Sequence, residues 1–324
     1  MKKFNIKLMF SALVAVFMVG FVGLAIKAPN AYAAQSTVDL KTATPFAILA
    51  GTPAITDAGN ASVITGNVGL SPRTSADIGL WCSQMTGLST IYGVDAGYTG
   101  GGHGTLCFKG TAPDKTLVDK AKVDLTTAYT DAAGRTPVTT VGTELGGTTK
   151  FAGVYTSGAT AFQISNIGPL VLDAQNDPSA VFIFEVSADA PGLTVGPGSV
   201  VQLAGQAQAC NVFWRVISAD INTTAVFKGN ILALNSITVA NGANIEGRLL
   251  ARNGQVTLIN DVITVPTCTI PVVVTPAVAP TVIPKLPNTG FISNNNNLIA
   301  ISVSAATAII TLVSLVIVIK KRAL

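Results

Sequence analysis

From Val38 to about Val265 the chain is a series of short apolar runs, separated by Gly, Asn, Asp or Ser. Short runs with alternating polar positions predict β-strands, and the separators predict tight turns. One stretch breaks the pattern. In "TAPDKTLVDKAKVDLTTAYTDAAGRT", residues Leu117, Ala121, Leu125, Ala128 and Ala132 recur at spacings of four, four, three and four, which is one face of a helix. Thr111 with Asp114 three positions on, and Pro113 between them, predicts the N-terminal cap; Gly134 predicts the end. Lys115, Asp119, Lys122 and Thr126 are expected on the opposite, solvated face.

The C-terminal half repeats loosely. "VFIFEV" (181–186) is echoed by "VFWRV" (212–216), "ILAL" (231–234) and "RLLA" (248–251). A second run follows each: "LTV" (193–195), "INT" (221–223), "ITV" (237–239), "VTL" (256–258). A third follows three of the four: "VVQL" (200–203), "VFKG" (226–229), "NIEG" (244–247). Three runs per cycle of roughly 16 to 30 residues predict a mainly β fold, a β-solenoid of triangular cross-section with the helix packed alongside. Leu193, Val195, Ile237, Val239, Val256 and Leu258 are expected to point inward. A β-sandwich also has many short strands, but they alternate over longer runs and leave an awkward place for a capped helix.

The chain ends read differently. Lys2, Lys3 and Lys7 precede an apolar run from Leu8 to Ile26, and Ala31-Tyr32-Ala33 offers a small-x-small cleavage site, so residues 1–33 are expected to be a secretory signal peptide. Residues 266–285 are Pro-rich and predict an extended stalk. Leu298 to Ile319 is an uncharged run long enough to span a bilayer, and Lys320, Lys321 and Arg322 follow it. Just before it stand Leu286-Pro287-Asn288-Thr289-Gly290 and a polar spacer. In order, the parts of 286–324 resemble the cell-wall sorting signal of Gram-positive surface proteins. That resemblance implies cleavage between Thr289 and Gly290 by a sortase and linkage of Thr289 to a peptidoglycan cross-bridge. The expected location is extracellular and wall-anchored, with membrane contact only through the terminal segments.

Charge and side-chain chemistry narrow the function. Of 20 basic residues, seven lie in the two terminal segments; Ala34 to Thr289 holds 13 basic and 16 acidic residues, a net of −3. Nucleic-acid binding therefore has no electrostatic motive. Cys82, Cys107, Cys210 and Cys268 show no CxxC spacing, and His103 is the single histidine, so disulfides fit better than zinc. Sequence proximity favours Cys82–Cys107 and Cys210–Cys268 but leaves the other two connectivities open. The carboxylates Asp173, Asp177, Glu185 and Asp189 sit around turns, and turn chemistry accounts for them, with calcium ligation by Asp173, Asn176 and Asp177 as the weaker option. No metal, cofactor or enzymatic activity is expected.

The segments "FAILAG" (46–51), "ITGNVGLSP" (64–72), "LTTAYTDAAGRT" (125–136), "LGGTTKFAGVYT" (145–156), "VFIFEV", "ACNVFWRV" and "ANIEGRLLA" resemble the ice-binding-protein-like family across residues 34–265. The resemblance implies an irregular right-handed β-solenoid with a long helix alongside, and an ice crystal surface as partner. In that family one flat face of small polar and methyl-bearing side chains orders water. Alternation on the second run of each cycle sends Gln163, Thr194, Asn222, Thr238 and Thr257 outward, a candidate ladder of that kind. The expected form is a monomer. The alternative is a wall-anchored adhesin or structural protein that keeps the fold and holds an unknown partner.

Overall fold

The computed structural model describes residues 35–100, 107–187 and 192–269. The expected signal peptide, His103, Asp189, the expected stalk beyond Thr269, the Leu286–Gly290 motif and the 298–319 span lie outside the described residues. Among the described residues, no helix is long and apolar enough to cross a membrane.

Every strand pairing is parallel. Each cycle of chain contributes to three ladders. The first runs in the order 108–109, 91–92, 67–70, 46–50, 248–251, 230–233, 212–216, 182–185, 153–156, 138–140. The second runs 162–164, 193–195, 219–221, 237–239, 256–258, 55–57, 78–79. The third starts at 149–150, 170–173 and 201–204. It continues through a Val200–Val226 bridge to 226–229, 244–247, 262–264, 63–65 and 85–86. The strands Val226–Ala233 and Asn244–Ala251 are each eight residues long and serve the third ladder with one half and the first with the other. They change ladders at Gly229 and Gly247. A Cβ on Gly247 would stand 1.9 Å from the Gly229 carbonyl oxygen, and Gly229 has φ +114°, so neither position accepts a side chain without strain.

The sequence cycle does not reveal the order of stacking. The N-terminal strand Phe46–Ala50 lies between 248–251 and 67–70, so the first cycles stack on the last one. Buried polar groups fasten this junction. Asp57 accepts from the backbone N–H of Ser62 (3.1 Å) and Asn260 (3.2 Å) and from the Gln84 amide. Asp261 accepts from the N–H of Ala243 (2.9 Å) and Ile259 (2.8 Å), while its own N–H donates to Ser62 Oγ (3.0 Å). Buried Arg248 donates from Nε to the Thr44 carbonyl (2.8 Å) and from Nη1 to Asn230 Oδ1 (2.7 Å).

This topology explains the length of the helix α1, Ala112–Ala133. The first ladder has ten strands, about 43 Å from 108–109 to 138–140 at ~4.8 Å per step. The chain leaves one end at Lys109 and must rejoin at the other end at Val138. A 22-residue helix covers about 33 Å of that distance, and the residues up to Val138 cover the rest. The predicted cap is present: the Asp114 carboxylate takes the Thr111 N–H (2.9 Å) and hydroxyl.

Two details of the helix differ from expectation. Its buried face is Val118, Ala121, Leu125, Ala128, Tyr129 and Ala132, with Leu117 only half-buried. Lys122 is not solvated: its ammonium reaches the Ala251 carbonyl (2.6 Å), and burial, aided by Arg252, pushes its pKa down to about 7. Tyr129 belongs to the buried stripe, and Arg215 and Arg252 of the first ladder lie over its ring at 4.3 and 4.8 Å.

Two apolar layers result. Outside the first ladder, Leu49, Leu250, Leu232, Phe213, Ile183 and Val154 pack under α1. Inside, Tyr155, Phe184 and Trp214 are in register on adjacent strands, with Phe184 and Trp214 stacked at 4.1 Å. The inward residues expected on the second run, Leu193 to Leu258, are all buried. The disulfides are Cys82–Cys107 and Cys210–Cys268.

Candidate functional site: the second ladder

The outer surface of the second ladder is built by alternation alone. In each three-residue strand the outer two side chains enter the core and the middle one faces out. Strand pairing places Gln163 beside Thr194, Thr194 beside Asp220, Asp220 beside Thr238, Thr238 beside Thr257, Thr257 beside Thr56, and Thr56 beside Gly79. Four of the five expected residues are therefore brought together in one row.

Asn222 is not in that row. The strand in that cycle is Ala219–Ile221 rather than 221–223, and Asp220 takes the register position. In the sequence the apolar Ile221 marks the start of a run, whereas Ala219 is the residue that enters the core beside Leu193 and Ile237. Alanine is a weak apolar signal, so the register is set by pairing rather than by the pattern. Asn222 lies two residues further on. Its N–H and its side-chain amide both donate to the Val195 carbonyl, at 2.9 and 2.8 Å. The ladder of backbone bonds continues there, from Gly196 to Ile164 and from Ala240 to Ile221. Asn222 thus belongs to a flanking row with Ser165, Gly196 and Ala240.

Thr56 and Gly79 were missed because they come from the N-terminal cycles, which repeat poorly and stack out of sequence order. The "VIT" runs at 63–65 and 262–264 are paired in register on the third ladder and are a trace of that stacking legible in the sequence.

The resulting surface is short-chained. The middle row is three threonines in succession on 237–239, 256–258 and 55–57, with Thr194 beyond Asp220. Gln163, the longest member, lies along the sheet, its amide donating to Ser165 Oγ (2.9 Å). Asp220 is the single charge in the row. The first ladder is covered by α1. The third also carries three threonines in register, Thr264, Thr65 and Thr86, but its row begins with the ion pair Lys228–Glu246 at 2.7 Å.

Among the described residues, no group of three His, Cys, Asp or Glu side chains is positioned to hold a metal ion. Asp173 accepts the Gln175 N–H (2.8 Å), and Asp177 accepts the Ser179 N–H (2.9 Å) and hydroxyl (2.6 Å). These bonds hold the Asp177 carboxyl below its usual range. Glu185 moves the other way, raised by burial.

A stack of parallel strands in three ladders with a helix along one side defines the class: a mainly β protein built of stacked parallel rungs. The family described as Ice-binding-like matches residues 48–264, and the chain belongs to that family. It is 36% identical over 234 residues to an ice-binding protein of Flavobacterium frigoris, covering 71% of this chain and 76% of that one. An ice-binding protein of Nostoc is 36% identical over 228 residues, 69% of this chain and 73% of the relative. Among solved structures, an ice-binding protein from an Antarctic biological consortium matches with a TM-score of 0.61 and 35% identity, covering 74% of this chain and 96% of the other. An ice-binding protein domain from Shewanella frigidimarina matches with a TM-score of 0.59 and 28% identity, covering 72% and 99%.

Proposed function

We propose that this chain is a cell-surface ice-binding protein that holds ice, or limits its growth, through the outer surface of the second ladder. The observation that carries the reading is the seven-strand row Gln163, Thr194, Asp220, Thr238, Thr257, Thr56 and Gly79, with its flanking small residues. Parallel rungs repeat at ~4.8 Å. Short hydroxyl and methyl groups at that repeat order adjacent water without charge, and the packed aromatic interior keeps the rungs from shifting. In this reading the domain is a monomeric, right-handed coil of triangular section. It is exported through residues 1–33, lifted by the stalk 266–285, and joined by a sortase to a peptidoglycan cross-bridge at Thr289. Wall attachment favours adhesion to ice or protection close to the cell over a freely diffusing antifreeze.

The test has two parts. Purified protein should show thermal hysteresis and inhibit ice recrystallisation. Cell-wall fractions should contain the chain ending at Thr289, and Thr289→Ala should move it to the membrane fraction. Protein that leaves ice growth untouched would transfer the reading to an adhesin on the same fold.

A further inference from the structure

Gln163 begins the row on the second ladder and has the longest side chain in it. A side chain of that length has the most rotamer freedom to lose on meeting a rigid surface. In this structure that freedom is already removed. The backbone is held from the ladder edge: the Gln163 N–H donates to the Thr143 carbonyl and the Leu145 N–H to the Gln163 carbonyl, both at 2.8 Å. Glu144, between them, forms a parallel bridge with Gln163 and so stands beside it, just beyond the end of the seven-strand row.

Glu144 is not a free surface charge. Its Oε1 accepts the backbone N–H of Gly146 (2.6 Å) and of Ser165 (3.0 Å), and its Oε2 accepts the Ser165 hydroxyl (2.6 Å). Gly146 leaves the room for this: a Cβ there would stand 2.5 Å from the Ser165 carbonyl oxygen and 2.7 Å from Glu144 Oε1. Burial works against the charge, but the bonds from Ser165, Gly146 and Leu145 outweigh it and hold the Glu144 carboxyl below its usual range. The carboxylate therefore stays ionised at neutral pH and is an acceptor only. That sets the direction of every bond in the chain. Ser165 directs its one hydroxyl proton to Glu144, so toward Gln163 its Oγ can only accept, and the 2.9 Å contact must come from the Gln163 amide nitrogen. Gln163 Oε1 has no donor among the described residues and is the acceptor that this exposed side chain presents to water.

We propose that Glu144 is a positioning residue for the ice surface: acting through Ser165 Oγ, it holds Gln163 flat along the second ladder, with the amide nitrogen turned in and the carbonyl oxygen offered to the crystal. This rests on the reading that the second ladder meets ice. Ordering a side chain before contact removes the entropy loss from the contact itself. It lets one long polar residue serve in a row of otherwise short side chains.

The purified full chain, labelled with nitrogen-15 glutamine, is studied by NMR without ice and then assayed for thermal hysteresis. The Gln163 side-chain amide is expected to be rigid in the wild type, with an order parameter of about 0.85, and to fall below about 0.6 in Glu144→Ala and in Ser165→Ala. Ser165→Ala leaves Glu144 on its backbone donors and so keeps the ladder edge closed. Both variants should lose the share of hysteresis that one terminal rung of seven contributes. In a Gln163→Thr background, where no long side chain needs holding, neither should change it further. A mobile Gln163 amide in the wild type, or one that stays rigid in Ser165→Ala, would overturn the inference. So would an equal loss of hysteresis with Gln163→Thr in place, which would show that Glu144 only closes the ladder edge. A rigid Gln163 that Ser165→Ala releases, in a protein that leaves ice growth untouched, would uphold the hold on Gln163 and refute the ice surface alone.

Discussion

Thr238→Tyr probes the proposed ice surface at its centre. Thr238 stands on 237–239, the fourth of the seven strands in the second ladder, with three rungs on either side. Its side chain faces out between Asp220 and Thr257. The neighbouring rungs are ~4.8 Å away, closer than the reach of a tyrosine ring. A tyrosine here therefore lifts a flat crystal from its own rung and from one on either side. Three of seven contacts are lost directly, and the remaining four are divided into two pairs that cannot seat together. Thermal hysteresis should fall by roughly half or more, since a few central residues dominate a rigid interface. The fold should be unaffected: an outward surface substitution changes stability by about 0.5 kcal/mol or less, a shift of a few degrees in melting temperature. Thr264→Tyr, an equivalent substitution on the third ladder, is the control and should leave ice growth unchanged. The measurement is a nanolitre cryoscope together with ice-crystal habit. If Thr238→Tyr and Thr257→Tyr both retain wild-type hysteresis at wild-type melting temperature, the second ladder is not the surface that meets ice.

Three further outcomes follow from the geometry. Asp220→Thr should raise hysteresis by removing the one charge in the row, whereas Asn222→Thr, in the flanking row, should change it little; the opposite ranking would refute the register. Replacing Cys210 and Cys268 by Ser removes a cross-link of separation 58 and should cost about 4 kcal/mol by the loop-entropy estimate, read as a lower urea midpoint. Asp261 is raised by burial to about 6, above its unfolded value of ~3.9, so the folded state holds the proton more tightly. Its contribution is fully present below about pH 4 and is lost as pH rises through 6, on the order of 2–3 kcal/mol. The melting temperature should therefore climb between pH 7.5 and 5, and Asp261→Asn should flatten that slope.

The amino-acid order by itself determined the local structure. A three-residue strand with apolar outer positions can bury only those two and must expose the middle one, and this puts Thr194, Thr238, Thr257 and Gln163 on the outer side of their strands. The 3.6-residue period and the Thr111–Asp114 box fixed the helix, because capping and amphipathicity are local properties. The tertiary structure decided everything that depends on which cycle lies beside which. Phe46–Ala50 pairs with 248–251 across some 200 residues of chain, a contact that leaves no periodic mark. For that reason Thr56, Gly79 and the Asp57–Asp261 junction were not legible. Asp220 was hidden because Ala219 carries too little hydrophobicity to announce a strand, and only pairing with both neighbours sets its register. Arg248 looked like an ordinary polar residue in "IEGRLLA"; the N-terminal segment that folds over it is what makes it a buried cation.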